Sequence, residues 1–319
     1  MSHLQKTEVR RMRPFLGTFV EVRVRGLVER DAMTAIDRAF APVATVEERM
    51  SAHDPRSDLG RLFHGDGNEP VTVHPWTFQV IEAAQKLHRL SGGVFDISVG
   101  DILECEGLLP AWRKRRQIGI RGTMAGIELS DGNRIRVHFP IRLDLGGIAK
   151  GFAVDRAVDA LMDSGISAGC VNAGGDFRIF GDDVEPLLVR DPMVPSRILR
   201  VGDIRTGAVA TSGGYFRGQR RRRSAPVTPF VDGRTRKTLR MRESITVIAS
   251  SCMWADALTK VLAIDLQSGA ALLNDFDAQA LLISETQVVL DFRVLPSPAE
   301  IQVATQWNEG HDRYNDSRE

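Results

Sequence analysis

The stretch GTFVEVRV, residues 17–24, places apolar side chains at every second position, the period of a strand with one buried face. In ERDAMTAIDRAFAPVATVEERM, residues 29–50, the apolar positions fall three and four apart and predict a helix. SAHDPRSDLGRLF reads as a polar loop, and HPWTFQVIEAAQKLHRLSGG predicts a second helix, closed by a glycine pair. VFDISVG opens another loop. RIRVHF and IRLDLGG predict strands on either side of a proline. KGFAVDRAVDALMDSG predicts the clearest helix, with Phe152, Val154, Val158 and Leu161 mostly on one face. GCVNAGGDFRIFG, LLVRDP and RVGDIRTGAVATSGGYF read as strands interrupted by glycines, and RGQRRRRSAPVTPFVDGRTRKTLRMR, from Arg217, as an exposed basic excursion. SITVIASS, a helix over SCMWADALTKVLA, then QALLIS and TQVVLDFRVL complete the ordered chain. Helices and strands interleave irregularly, without a repeat, so the expected class is α+β with mixed or antiparallel sheets. The expected organisation is a flexible lead-in over 1–12, one folded unit over 13–305 and a disordered tail over 306–319.

Composition narrows the function. The 319 residues are 43% apolar and 26% charged, as in a soluble globular protein, and 42 basic side chains face 41 acidic ones. Such balance gives no net field to gather nucleic acid or an anionic membrane. Neither a signal-peptide core nor an apolar run of membrane-spanning length is present, so the sequence reads as cytoplasmic. Cys105, Cys170 and Cys252 lack metal-binding spacing and are expected as free, buried thiols.

Three glycine turns carry the candidate chemistry. In LDLGGIAKGFAVD, residues 143–155, a strand end and two glycines lead into a helix whose first turn holds Lys150. A phosphate suits such a turn, since backbone amides, the helix N-terminus and an ammonium converge there; a plain turn with Lys150 in solvent is the alternative. It is neither a dinucleotide fingerprint nor a Walker loop. VNAGGDF and VATSGGYF are two further turns, and the three together suggest one backbone-lined cleft. Asp96 and Asp256 sit beside apolar or aromatic residues instead of in charge runs, which points to partly buried acids needing partners. For Asp256 the partner is either a hard cation such as Mg²⁺ or Lys260, one helical turn on.

PFLGTFVEV, MSAHDPRSDLGRL, GGVFDISVG, LDLGGIAKGFAVD, VNAGGDFRIFG, VATSGGYF and ITVIASSCMWADALTK, in this order, resemble the ApbE family, the FAD:protein FMN transferases. The resemblance implies an α+β fold with flanking helices around a flavin cleft, FAD as substrate and Mg²⁺ at its diphosphate. It implies FMN transfer to a threonine of an acceptor protein with loss of AMP, or in some members FAD hydrolysis. Carried over by position, it makes Leu16, Ser51, Ala52, His53, Asp96 and Phe230 candidates for FAD contacts, and Lys150 a phosphate contact. Gly147, Asp256 and Thr259 become candidate metal ligands, with Lys150 and Asp256 as the catalytic pair.

Two departures stand out. The family pattern D-A-x-[ST]-T ends on a metal-binding threonine where this chain has Lys260. Lys260 either takes the metal's place or swings outward, leaving Asp256 and Thr259 a weaker site. In TPFVDGRTRK, which aligns with H-I-I-D-P-R-T-G, Asp232, Arg234 and Thr235 match but Pro229 replaces the histidine and cannot accept a proton. A family member of impaired activity and a degenerate FAD-binding protein are the two readings this leaves.

Overall fold

A computed structural model of the chain describes residues 8–26, 28–65, 67–112, 122–138, 141–182, 184–214, 227–284, 288–291 and 302–304. Its centre is an eight-stranded sheet. The strands are β1 (Glu8–Phe15), β2 (Thr18–Arg25), β6 (Gly169–Ala173), β7 (Asp176–Phe180), β10 (Gly207–Gly213), β13 (Ser244–Ala249), β14 (Gln279–Ile283) and β15 (Val288–Asp291), in that spatial order. Every neighbouring pair is antiparallel. In β2 the alternation is realised directly: Val20, Val22 and Val24 are sealed from solvent, while Phe19, just before them on the opposite face, is exposed.

Three helices cover one face. α1 (Glu29–Met50) lays Ile36, Phe40 and Val43 against α5 (Ala149–Asp163), which contributes Val154, Val158 and Leu161. α6 (Cys252–Ile264) lies beside α5 over β10 and β13. The other face meets a small sheet built on β8 (Glu185–Arg190) and β9 (Ile198–Ile204), whose Leu187, Val189 and Val201 pack on Ile179, Val209 and Leu281. Strand β13 is therefore covered on both sides, and even its polar Ser244 and Thr246 are buried. A third layer forms from α2 (Asp58–His64), α3 (Pro75–Leu90) and the sheet of β3 (Val71–Thr72), β4 (Ile127–Ser130) and β5 (Arg134–Val137). No helix among the described residues is long and apolar enough to cross a membrane.

The α+β class and most elements match their sequence patterns, and the differences have physical causes. The lead-in expected to be flexible is strand from Glu8 onward, because β1 pairs residue by residue with β2. The expected loop at 51–63 contains α2, a helix too short to display a period; the Ser57 hydroxyl accepts the Gly60 N–H, and Leu59 and Leu62 anchor its inner side. IRLDLGG has the alternation of a strand, with Ile141, Leu143 and Leu145 buried, yet forms no ladder. Its backbone makes isolated bonds to the 97–100 loop, Asp144 N–H to Ile97 and Gly100 N–H to Arg142. The basic excursion contains a hairpin of β11 (Val227–Asp232) and β12 (Lys237–Arg240), pinned by Arg236 to the Ser98 carbonyl and Asp101, so Thr228 and Val231 are buried. Its Arg220–Arg223 run and the 306–319 tail lie outside the described residues. Cys105 is exposed, against expectation, while Cys170 and Cys252 are buried.

Helices α5 and α6 pack closely enough to require a glycine between them. A Cβ at Gly151 would fall 2.2 Å from the Cys252 carbonyl oxygen, so only glycine permits the approach. Overpacking of this kind costs about 1–3 kcal/mol. Gly151→Ala is expected to lower unfolding free energy by that amount or more in a denaturant titration, whereas Gly165→Ala, where nothing lies within 4 Å of the added carbon, loses only what its φ of +80° imposes.

Candidate functional site

The site grows from the point where the two helix N-termini meet. Asp155 of α5 accepts the Cys252 and Met253 N–H groups at 3.0 and 2.9 Å and the Ser251 hydroxyl at 2.8 Å, so it caps α6 from another helix. Asp256 of α6 returns the contact, its Oδ2 accepting the Gly151 N–H at 3.1 Å. Asp256 is fully buried, and its other oxygen faces two ammonium groups: Lys260, in direct contact one turn along α6, and Lys150, 3.9 Å away. Lys150 also pairs with Asp176, which follows the VNAGG turn and accepts the Thr211 N–H of β10. The three glycine turns thus converge through one chain of charges.

Above this floor lies a cleft with two adjoining hollows. Phe95, Asp96, Gly147, Pro229, Phe230 and Lys260 line the first. Leu16, Met50, Ser51, Ala52 and Lys150 line the second. His53, Asp144 and Gly146 belong to both and mark where they join. All the residues expected to contact FAD therefore face one or other hollow, with one lysine at each side of the junction.

Local chemistry explains each placement. Leu16 adopts a left-handed φ of +56° in the β1–β2 turn, a strained state for a branched side chain, and the Glu47 carboxylate accepts its N–H at 2.7 Å. The Ser51 hydroxyl accepts the His53 and Asp54 N–H groups, shaping the turn that presents exposed His53. The Asp96 carboxylate accepts both the N–H and the hydroxyl of Ser98 at 2.6 Å. Phe230 comes from the β11–β12 hairpin, whose Arg234 reaches Asp265 at the end of α6.

Burial and charge tune the ionisable groups. Burial alone would raise the Asp256 carboxyl, but Lys150, Lys260 and the Gly151 N–H reverse this and hold it below the ordinary carboxylate value. The Lys150 ammonium is pushed down by burial, against the attraction of Asp256 and with a smaller push from Lys260. Asp144 is raised by burial, opposed by a Gly146 N–H bond and by the nearby Arg142 and His53.

The residues present do not fit the Mg²⁺ that the resemblance implies. Both carboxylate oxygens of Asp256 are engaged, one by an N–H and one by ammonium groups that offer no lone pair. The Thr259 hydroxyl, expected as a ligand, is fully buried; it donates to the Asp256 carbonyl at 2.6 Å and lies 2.8 Å from the Ser212 hydroxyl. Among the described residues no cluster of three or more His, Cys, Asp or Glu side chains is arranged to hold a metal.

Sequence reasoning missed Asp144, Asp155, Glu47 and Arg142. Asp144 and Asp155 were within reach, since both lie in the LDLGGIAKGFAVD block. Arg142 gave no signal: its guanidinium is buried over the Trp112 ring, donates to the Ala52 carbonyl at 2.6 Å and fixes the 51–53 turn from below. That burial lowers its pKa to about 10.

The ApbE family profile matches residues 16–282. Among curated proteins, the FAD:protein FMN transferase of Vibrio cholerae is 29% identical over 295 residues, covering 86% of each chain. That of Rhodobacter capsulatus is 28% identical over 267 residues, 78% of this chain and 50% of its own. Of solved structures, the ApbE protein of Thermotoga maritima superposes with a TM-score of 0.75 at 27% identity, covering 89% of this chain and 97% of its own. The flavin transferase ApbE of Vibrio cholerae gives 0.72 at 25% identity, covering 90% and 97%.

Removing Asp256 leaves the buried Lys260 ammonium without its carboxylate and Lys150 with Asp176 alone, and breaking a buried pair costs about 3–5 kcal/mol. Asp256→Asn is expected to lose stability of that order at neutral pH. Because the folded-state pKa is depressed, the contribution of Asp256 is present above the unfolded value and disappears as pH falls through the folded one. Denaturant titrations across pH 2–7 should show a shallower acid decline in the variant than in the parent.

Proposed function

The chain belongs to the ApbE family, and from that premise we propose that it binds FAD across both hollows and acts as an FAD:protein FMN transferase. The observation that carries this reading is the order of groups along the cleft. An aromatic and apolar hollow holding Asp96 and Phe230 is followed by a junction at Gly146 between two lysines, then by a second hollow under Leu16 and the 51–53 turn. FAD has the same order: a ring system, a doubly charged bridge and a second ring system.

In the proposed reaction the hydroxyl oxygen of an acceptor threonine attacks the phosphorus on the FMN side. A new P–O bond forms, the P–O bond to the AMP phosphate breaks, and AMP leaves with the bridging oxygen. Negative charge grows on that departing phosphate, and Lys150 and Lys260 are the cationic groups at the junction available to offset it. Asp256 is a positioning residue, since it is buried beneath the floor and reaches the cleft only through the two ammonium groups. The threonine proton needs an acceptor, and Pro229 supplies none where the family pattern has histidine.

Pro229 lines the first hollow, and this favours a second reading in which FAD is held, or slowly hydrolysed to FMN and AMP, without transfer. Chromatography of FAD incubated with the purified protein and a threonine-bearing flavoprotein acceptor separates the two. AMP release with flavin bound covalently to the acceptor supports transfer; FAD retained intact supports the second reading; failure to bind FAD contradicts both. Lys150→Ala is expected to weaken FAD binding by about 1.5–3 kcal/mol, the range for a charge-assisted hydrogen bond, measured by flavin fluorescence quenching.

A further inference from the structure

Resting on the reading that the cleft holds FAD, we propose that the Lys260 ammonium is this protein's resident counter-ion for the diphosphate, so that FAD binding requires no divalent cation. The side chain lies between the Gly147 backbone and the Asp256 carboxylate, the two groups that the resemblance assigns to a metal. Its stem runs against the Gly147 backbone, its Cγ 3.5 Å and its Cε 3.8 Å from where a Cβ on that glycine would stand. Its nitrogen rests on Asp256 Oδ1, lies 5.7 Å from the centre of the Phe230 ring and lines the first hollow. Only 9% of Lys260 is exposed, so it is packed inward instead of extending into solvent.

The surrounding charges agree with this assignment. Lys150 and Lys260 offset Asp176 and Asp256 directly at the junction, while Asp96, Asp144 and Glu47 line the hollows around it. A divalent ion would have to displace an ammonium from Asp256 and would repel the one that remains beside it. Outward rotation of Lys260 would not restore a threonine ligand, because Thr259 stays bonded to the Asp256 carbonyl and paired with Ser212. An ammonium also differs from Mg²⁺ in kind: it donates hydrogen bonds to phosphate oxygens and carries one charge, whereas the metal demands an octahedron of oxygens.

The test is FAD affinity, read by flavin fluorescence with EDTA and with excess MgCl₂, in the parent, Lys260→Arg, Lys260→Met and Lys260→Thr. The expected parent affinity is the same within about twofold in both buffers, and Lys260→Arg follows the parent. Lys260→Met should bind at least about tenfold more weakly in EDTA, the loss of a charge-assisted contact. Lys260→Thr should weaken similarly in EDTA and recover with MgCl₂, acquiring a metal dependence that the parent lacks. Parent binding that appears only with MgCl₂ overturns the inference while leaving the FAD reading intact, and so does undiminished EDTA affinity in Lys260→Met. No FAD binding by the parent in either buffer overturns both.

Discussion

The site depends on an exchange of carboxylates between two helix N-termini. Asp155 leaves α5 to cap α6, Asp256 leaves α6 to accept an N–H from the first turn of α5, and Gly151 removes the one side-chain atom that would hold the helices apart. Each carboxylate is placed where the partial positive charge of a helix end favours it. The exchange fixes the distance between segments 105 residues apart in sequence, so Lys150 and Lys260 stand on either side of one buried acid.

That spacing turns a packing solution into chemistry. A buried carboxylate flanked by two ammonium groups stays ionised, and the ammonium groups are held facing the cleft with little rotamer freedom left to lose on binding. The walls complete the selection. Arg142 supports the 51–53 turn from beneath, Glu47 holds the strained Leu16 turn, and Arg234 and Arg236 fasten the β11–β12 hairpin over the first hollow. Each wall is a loop or hairpin tied by a charged side chain to a more rigid element, which keeps the two hollows in register with the junction.

Much of this was legible in the sequence. The valine alternation of β2, the helical spacing of α1 and α5 and the three glycine turns each announced their element, because burial on one face imposes its period directly. The cleft residues Leu16, Ser51, Ala52, His53, Asp96, Lys150 and Phe230 were reached through ordered motifs. What failed was whatever depended on a partner distant in sequence. Residues 141–145 alternate like a strand, but a strand exists only if another strand is beside it. The basic hairpin reads as solvent-facing until Arg236 finds Asp101 and Ser98. Lys260 could point inward or outward on local grounds alone, and only the proximity of Gly147 and Lys150 to Asp256 fixes its direction.

The central claim is that the two lysines jointly receive the bridge of a flavin dinucleotide above Asp256. A crystal structure of the protein soaked with FAD in EDTA tests it most directly. The account predicts density for the diphosphate at the Gly146 junction with the Lys150 and Lys260 nitrogens both within hydrogen-bonding distance and Lys260 still on Asp256. Diphosphate density elsewhere in the cleft, or Lys260 turned into solvent with a metal on Asp256, would contradict it.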